Sequence, residues 1–297
     1  MKKVYILLMI AMIICGCNRK WDANEESVLN NDIGKVANVY NTLYYINEGA
    51  LYKSDSNNVI REIELSNVYS LQTVNNTVYA IAYIDGNNVI YNISDNNNVI
   101  FEFKTDAVPD KVLMDENTCY YMTNGQLYAD PIDKIDALKS IEDVYDFTIT
   151  KEGVFYLVFS GNIGNSNDNF LDIGEISITS ELCFSNLNNV TKIVDEINGY
   201  GSFLSNYGNK VTYRCEDKIF IADENHNECV IENVLPSSIV VSGDKFYFGD
   251  LGSASIKEYS ERDKTIRKIG EYGELIGIAN DKIIKSDLST VNISIEN

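Results

Sequence analysis

The sequence predicts an all-β chain folded as a β-propeller, with seven four-stranded blades as the first expectation and six or eight as the alternatives. Three observations carry this reading. A turn residue followed by an apolar-aromatic run recurs along the chain, each period contains four short β-prone runs, and no helical period of useful length appears.

The repeat is clearest in Asn41-Thr42-Leu43-Tyr44-Tyr45, Asn76-Thr77-Val78-Tyr79-Ala80 and Asn117-Thr118-Cys119-Tyr120-Tyr121. It returns more loosely from Glu152, Asn209, Asp244 and Asp281, so that the spacings are 35, 41, 35, 57, 35 and 37 residues. The second copy shows the four runs within a period. Ser70–Val74 precedes the Asn75-Asn76 turn, Val78–Ile84 follows it, and Val89–Ile93 and Val99–Phe103 come after further Asn- and Gly-rich turns. Polar turns between β-branched and aromatic runs are the hairpin signal, and four antiparallel strands in such a period make one blade. A solenoid would show helices or a single strand per period. The last copy supplies three strands, Glu274–Ala279, Lys282–Ser286 and Val291–Ile295. Ser27–Asn31, which precedes the first inner strand at Lys35–Val39, is expected to provide the fourth and close the ring.

The N-terminus is a targeting segment. Lys2 and Lys3 precede an unbroken apolar run, Val4–Ile14, too short to cross a bilayer, which takes about 20 residues. Ile14-Cys15-Gly16-Cys17 resembles the bacterial lipobox, with Cys15 standing where Ala or Ser is commoner. The resemblance implies lipid transfer to Cys17 and cleavage after Gly16. The chain then divides into a lipoprotein signal peptide (1–16), a lipidated tether (17–26) and a single propeller domain (27–297), extracytoplasmic and anchored to the cell membrane.

A second resemblance lies in the strands. Leu43-Tyr44-Tyr45-Ile46-Asn47, Leu51-Tyr52-Lys53-Ser54-Asp55 and Val59-Ile60-Arg61-Glu62-Ile63 resemble the bacterial propellers related to the six-bladed domain of low-density-lipoprotein receptors. The likeness extends over most of residues 35–297 and is clear in the first three copies. The receptors' Tyr-Trp-Thr-Asp signature is absent, so their ligand properties do not carry over. In bacteria such propellers occur on anchored surface proteins.

Composition excludes some partners. The chain carries 24 Lys and Arg against 44 Asp and Glu, a net charge of −20. Loss of Lys2 and Lys3 on maturation makes it −22, which repels phosphate backbones and argues against nucleic acid. An apolar content of 45% and 20 tyrosines place the chain among folded proteins.

Catalytic, cofactor and metal signatures are lacking. The one histidine, His226, sits in the polar turn Asp223–Glu228, so a multi-His zinc site is ruled out. No nucleophile elbow, phosphate loop or dinucleotide fingerprint occurs. Cys119, Cys183, Cys215 and Cys229 form no Cys-x-x-Cys pair, and Cys119 takes the slot held by Leu43 and Val78 in sister repeats, as a small core residue would. The 57-residue spacing comes from an insertion at Ser160–Glu175. Its Asn165-x-Asn167-x-Asn169 pattern is like a calcium loop, yet it lacks the sixth-position Gly and its Glu175 falls one place short of the twelfth.

These readings favour a binding or scaffold module for a protein or glycan partner. The alternatives are a structural envelope protein, or a propeller lyase or hydrolase using carboxylates at the channel mouth. The expected binding face follows from the chain path. Loops leaving second strands and loops entering the next blade open on one end of the ring. Tyr69, Tyr145, Tyr200 and Tyr272 lie seven to nine residues before a repeat, and Asn165, Asn167, Asp168 and Asp172 lie in the insertion. Packing of the same tyrosines between blades is the competing role. For the anchor, Cys17→Ser is expected to leave a precursor that keeps its apolar segment and takes up no labelled fatty acid such as palmitate. Normal maturation and acylation of that variant would exclude Cys17 as the acceptor.

Overall fold

Each sequence repeat opens the second strand of a sheet. These are β2 (Thr42–Asn47), β6 (Thr77–Ile84), β10 (Thr118–Thr123), β14 (Val154–Phe159), β18 (Lys210–Cys215), β22 (Lys245–Asp250) and β26 (Lys282–Asp287). The computed structural model describes residues 34–40, 42–55, 59–132, 139–160, 179–186, 191–242, 244–271, 274–279, 282–287 and 290–296. First strands are β1 (Val36–Val39), β5 (Val68–Val74), β9 (Lys111–Met114), β13 (Val144–Ile149), β17 (Gly201–Tyr207), β21 (Pro236–Ser242) and β25 (Glu274–Ala279). Third strands are β3 (Ala50–Ser54), β7 (Asn87–Asn92), β11 (Gln126–Pro131), β15 (Ser180–Ser185), β19 (Lys218–Ala222), β23 (Ser255–Ser260) and β27 (Thr290–Glu296). Fourth strands are β4 (Ile60–Ile63), β8 (Asn98–Lys104), β12 (Lys139–Ile141), β16 (Thr191–Ile197), β20 (Asn227–Ile231) and β24 (Thr265–Glu271).

The expected seven four-stranded blades are corrected to six. Among the described residues six sheets hold four consecutive antiparallel strands, and the last holds only β25, β26 and β27. The reason is pairing: among the described residues β27 pairs with β26 alone, and no fourth strand is hydrogen-bonded to its outer edge. Ser27–Asn31, the expected fourth strand, lies outside the described residues, as do the signal peptide, Cys17 and the tether. First strands stand side by side around the axis, and β25 completes the circuit between β21 and β1.

Turn chemistry sets the register. Glu48-Gly49, Asn75-Asn76, Asp85-Gly86 and Asn124-Gly125 have positive φ at both residues. They join Asn47 to Ala50, Val74 to Thr77, Ile84 to Asn87 and Thr123 to Gln126 across the pair. Two left-handed residues in a two-residue loop match the twist of the flanking strands, which is why Asn, Asp and Gly recur at these points.

The core lies between sheets. Ala37, Ile46 and Leu51 of the first blade meet Leu71, Val78 and Ala80 of the second. Phe155, Leu157 and Leu182 of the fourth meet Leu204, Val211 and Tyr213 of the fifth. Where the last sheet meets the first, Val36, Leu43 and Tyr45 pack against Ile284. There β25 crosses β1 so closely that a Cβ on Gly277 would fall 3.0 Å from Val36 Cβ. The outer strands lose apolar cover: Ile60, Val99, Ile193 and Ile266 are exposed.

Cys119, Cys183, Cys215 and Cys229 are free thiols. Cys119 is fully buried in β10 and Cys183 is buried in β15, where burial pushes its thiol up to about 11. Cys215 ends β18 and Cys229 lies in β20, with β19 between them.

Asp250 closes β22. Its carboxylate pairs with Lys257 and accepts from the Leu235 and Gly252 N–H groups at 3.1 and 3.0 Å and from Ser253 Oγ at 2.6 Å. Burial alone would raise its pKa, but these partners outweigh it and hold it at about 2, below its ordinary value of 3.8. A carboxyl depressed in the folded state adds stability that is fully present above the unfolded value and is lost as pH falls through the folded one. Asp250→Asn is therefore expected to cost about 1–3 kcal/mol at pH 7. It should also flatten the fall in urea stability between pH 4 and pH 2; a mutant with the wild-type acid slope would contradict this role.

Candidate functional site

The junction of the fourth and fifth blades gathers an aromatic group at the end of the ring where first strands begin and second strands finish. Tyr145 sits on a bulge of β13, between Val144 and Asp146. A bulge adds a residue and redirects its side chain. Phe159 is the last residue of β14, and Tyr200 stands in the link before β17. Ring centroids of Tyr145 and Phe159 are 4.3 Å apart, those of Tyr145 and Tyr200 5.1 Å, and those of Phe159 and Tyr200 5.9 Å. The planes lie within 28° of one another. Phe159 is 53% exposed and Tyr200 50%, whereas Tyr145 is half-buried with its hydroxyl inside.

Glycine makes this fit possible at Gly201. A Cβ there would meet Ile197 Cδ1 and Leu157 Cδ2 at 3.1 Å and the Tyr145 hydroxyl at 3.3 Å. The bare backbone lets the Tyr145 hydroxyl lie beneath it while Tyr200 remains on the surface. Burial pushes the Tyr145 hydroxyl far above its ordinary range, and burial with the nearby Asp146 carboxylate raises that of Tyr200.

Beside the rings opens a pocket of about 420 Å³, lined by Tyr145, Asp146, Tyr200, Ser202, Phe203, Arg214 and Glu216. Ser202 and Arg214 face each other across the β17–β18 pair, beside a bulge that runs from Ser202 to Ser205. Phe203 within that bulge has φ +55°, which a bulky residue rarely adopts. The Arg214 guanidinium lies 5.8 Å from the Phe203 ring centre, and its Nε donates to the Glu216 carbonyl at 2.8 Å.

Asp146 has a different task. Lys111 Nζ of the third blade donates to Asp146 Oδ1 at 2.9 Å and to the Leu204 carbonyl of the fifth blade at 3.1 Å. The Phe147 N–H donates to the same Oδ1 at 2.8 Å, and the Leu204 N–H to Oδ2 at 2.9 Å. Three blades are thereby clasped at the mouth of the ring.

The expected binding residues divide. Tyr145 and Tyr200 come together. Tyr69 occupies a bulge of β5 equivalent to that of Tyr145 but turns into the packing, its hydroxyl donating to Asn88 Oδ1 at 2.9 Å. Tyr272, Asn165, Asn167, Asp168 and Asp172 lie outside the described residues. The base of the insertion is described. Ser160 N–H donates to the Thr179 carbonyl at 3.1 Å, directly after Phe159. His226 lies exposed in the β19–β20 turn, its N–H donating to Asp223 Oδ1 at 3.0 Å. Among the described residues no three His, Cys, Asp or Glu side chains converge as a metal site. Phe159, Phe203 and Arg214 were not singled out from the sequence. The signal for Phe159 was its place at the foot of the insertion; Arg214 and Phe203 carry none without the strand pairing.

No family model matches the chain, and no curated relative does. Solved structures do. The Cps50 (Swd1) β-propeller domain of Myceliophteria thermophila aligns over 89% of this chain and 96% of its own, with a TM-score of 0.61 at 10% identity. Hsv2 of Kluyvelomyces marxianus aligns over 86% and 93%, with 0.57 at 8% identity. Hsv2 of Kluyveromyces lactis aligns over 86% and 94%, with 0.55 at 9% identity. The fold is a β-propeller. At such identities the likeness reaches the propeller fold and stops there, and the receptor-type strand pattern stays a local resemblance.

The clasp is testable. Asp146→Asn leaves Lys111 partly buried without its carboxylate, and is expected to lower unfolding stability by about 1–3 kcal/mol in urea titration. An unchanged midpoint would show that the clasp contributes nothing.

Proposed function

We propose that the protein is a binding module, held at the outer face of the cell membrane by a lipid on Cys17, that seats a protein or glycan partner between its fourth and fifth blades. The observation that carries this reading is the exposed set of near-parallel rings, Tyr200 and Phe159 over Tyr145, beside the Arg214 pocket. Amphipathic aromatics on a rigid scaffold bring a large contact area with little conformational entropy to lose, the property that makes them anchors of recognition. A propeller is compatible with a scaffold for protein interactions, and the resemblance to anchored bacterial surface propellers fits the same role.

The pocket favours binding over a purely structural envelope role, which needs no such concavity. For the hydrolase alternative, Asp146 is poorly suited as one of two working carboxylates, because both its oxygens are engaged by Lys111, Phe147 and Leu204. The test is affinity capture by the anchored protein from its own membranes. Tyr200→Ala combined with Phe159→Ser should reduce recovery of the wild-type partner by about tenfold or more, the scale of a lost aromatic anchor. Thermal unfolding should stay near wild type, since both side chains are exposed. Undiminished recovery by the folded double variant would place the binding face elsewhere.

A further inference from the structure

We infer that the pocket takes a carboxylated sugar residue of a glycan, with the carboxylate on Arg214 and a pyranose face on Tyr200 and Phe159. The inference rests on the binding reading above and names its ligand class.

Arg214 is the first reason. Its Nε is committed to the Glu216 carbonyl and its plane is steadied over Phe203, which leaves the Nη donors for a ligand. Among the described residues no carboxylate forms an ion pair with it, although the chain holds 44 acidic and 24 basic residues. Asp146, which also lines the pocket, is already paired with Lys111. A planar guanidinium fork that is pre-oriented and unpaired matches a carboxylate in two-point geometry. Phe203, which supports it, holds a φ of +55°. Such strain clusters at sites of function.

The aromatic surface is the second reason. Rings within 28° of parallel give a flat, exposed platform rather than an enclosed slot. A flat platform suits the C–H face of a sugar ring, whereas an apolar peptide anchor seeks a fully desolvated pocket. Charge then limits the glycan. A protein of net charge −20 repels a densely anionic polymer, and the exposed Glu216 on the pocket wall disfavours a second negative group close by. Sparse carboxylates among neutral sugars fit both conditions.

The experiment is isothermal titration of the mature protein with two probes. One is a tetrasaccharide carrying a single glucuronate, and the other is the same saccharide with its carboxyl reduced to the alcohol. The acidic form should bind about tenfold or more tightly, the worth of one charge-assisted hydrogen-bonded pair. Arg214→Gln should erase that preference and Arg214→Lys should restore only part of it. Tyr200→Ala should weaken both forms alike. Equal binding of the two forms, or a preference that survives Arg214→Gln, overturns the carboxylate assignment while leaving the platform in place. Failure of the folded wild type to bind the acidic form, with binding instead of a peptide bearing a free C-terminal carboxylate, overturns the glycan assignment. Indifference of both sugars to Tyr200→Ala strikes the platform reading itself.

Discussion

Apolar burial between neighbouring sheets holds this molecule together. A single four-stranded sheet has two faces and cannot cover either by itself, so each blade is stable only against the blades beside it. The layers are built from modest side chains, such as Ala80 and Val78 against Leu51, and from larger ones, such as Phe155 and Tyr213. Each fully buried aliphatic or aromatic side chain contributes about 1.5–3 kcal/mol. The circuit joins at Val36 and Ile284, with Gly277 pressed against Val36, by close approach of backbone to side chain.

Much of this was legible in the sequence because hairpin turns are local. Asn75-Asn76 and Asn124-Gly125 need left-handed backbone, and few residues supply it, so the turn leaves a mark that can be read without knowing the fold. The strands that follow these marks lie where they were expected, including the three after residue 273. Blade completion was not legible. Whether a distant segment such as Ser27–Asn31 pairs with an edge depends on contacts that no local pattern records.

The candidate site divides in the same way. Tyr145 and Tyr200 could be found by their distance from a repeat, because the path into each first strand recurs. Tyr69 shares the register of Tyr145 and has a different fate, since Asn88 in its own blade accepts its hydroxyl. Tyr145 instead lies under Gly201, with its hydroxyl buried there. Arg214 reaches the site only because β18 pairs with β17 across a bulge, and a bulge breaks the two-residue alternation on which strand reading relies. Sites assembled at bulges are for that reason the part of a sheet protein most hidden from its sequence.

The clasp of Lys111, Asp146 and Leu204 changes how the ring comes apart. Contacts between adjacent sheets alone would let local opening proceed one sheet at a time. Lys111 reaches past the fourth blade to the fifth, tying next-nearest neighbours through one ammonium group. The third, fourth and fifth blades are thus coupled into a larger cooperative unit, whose amides exchange with solvent together rather than in turn. The aromatic platform sits on that unit, so a ligand there would slow exchange as far away as the third blade, which it does not touch.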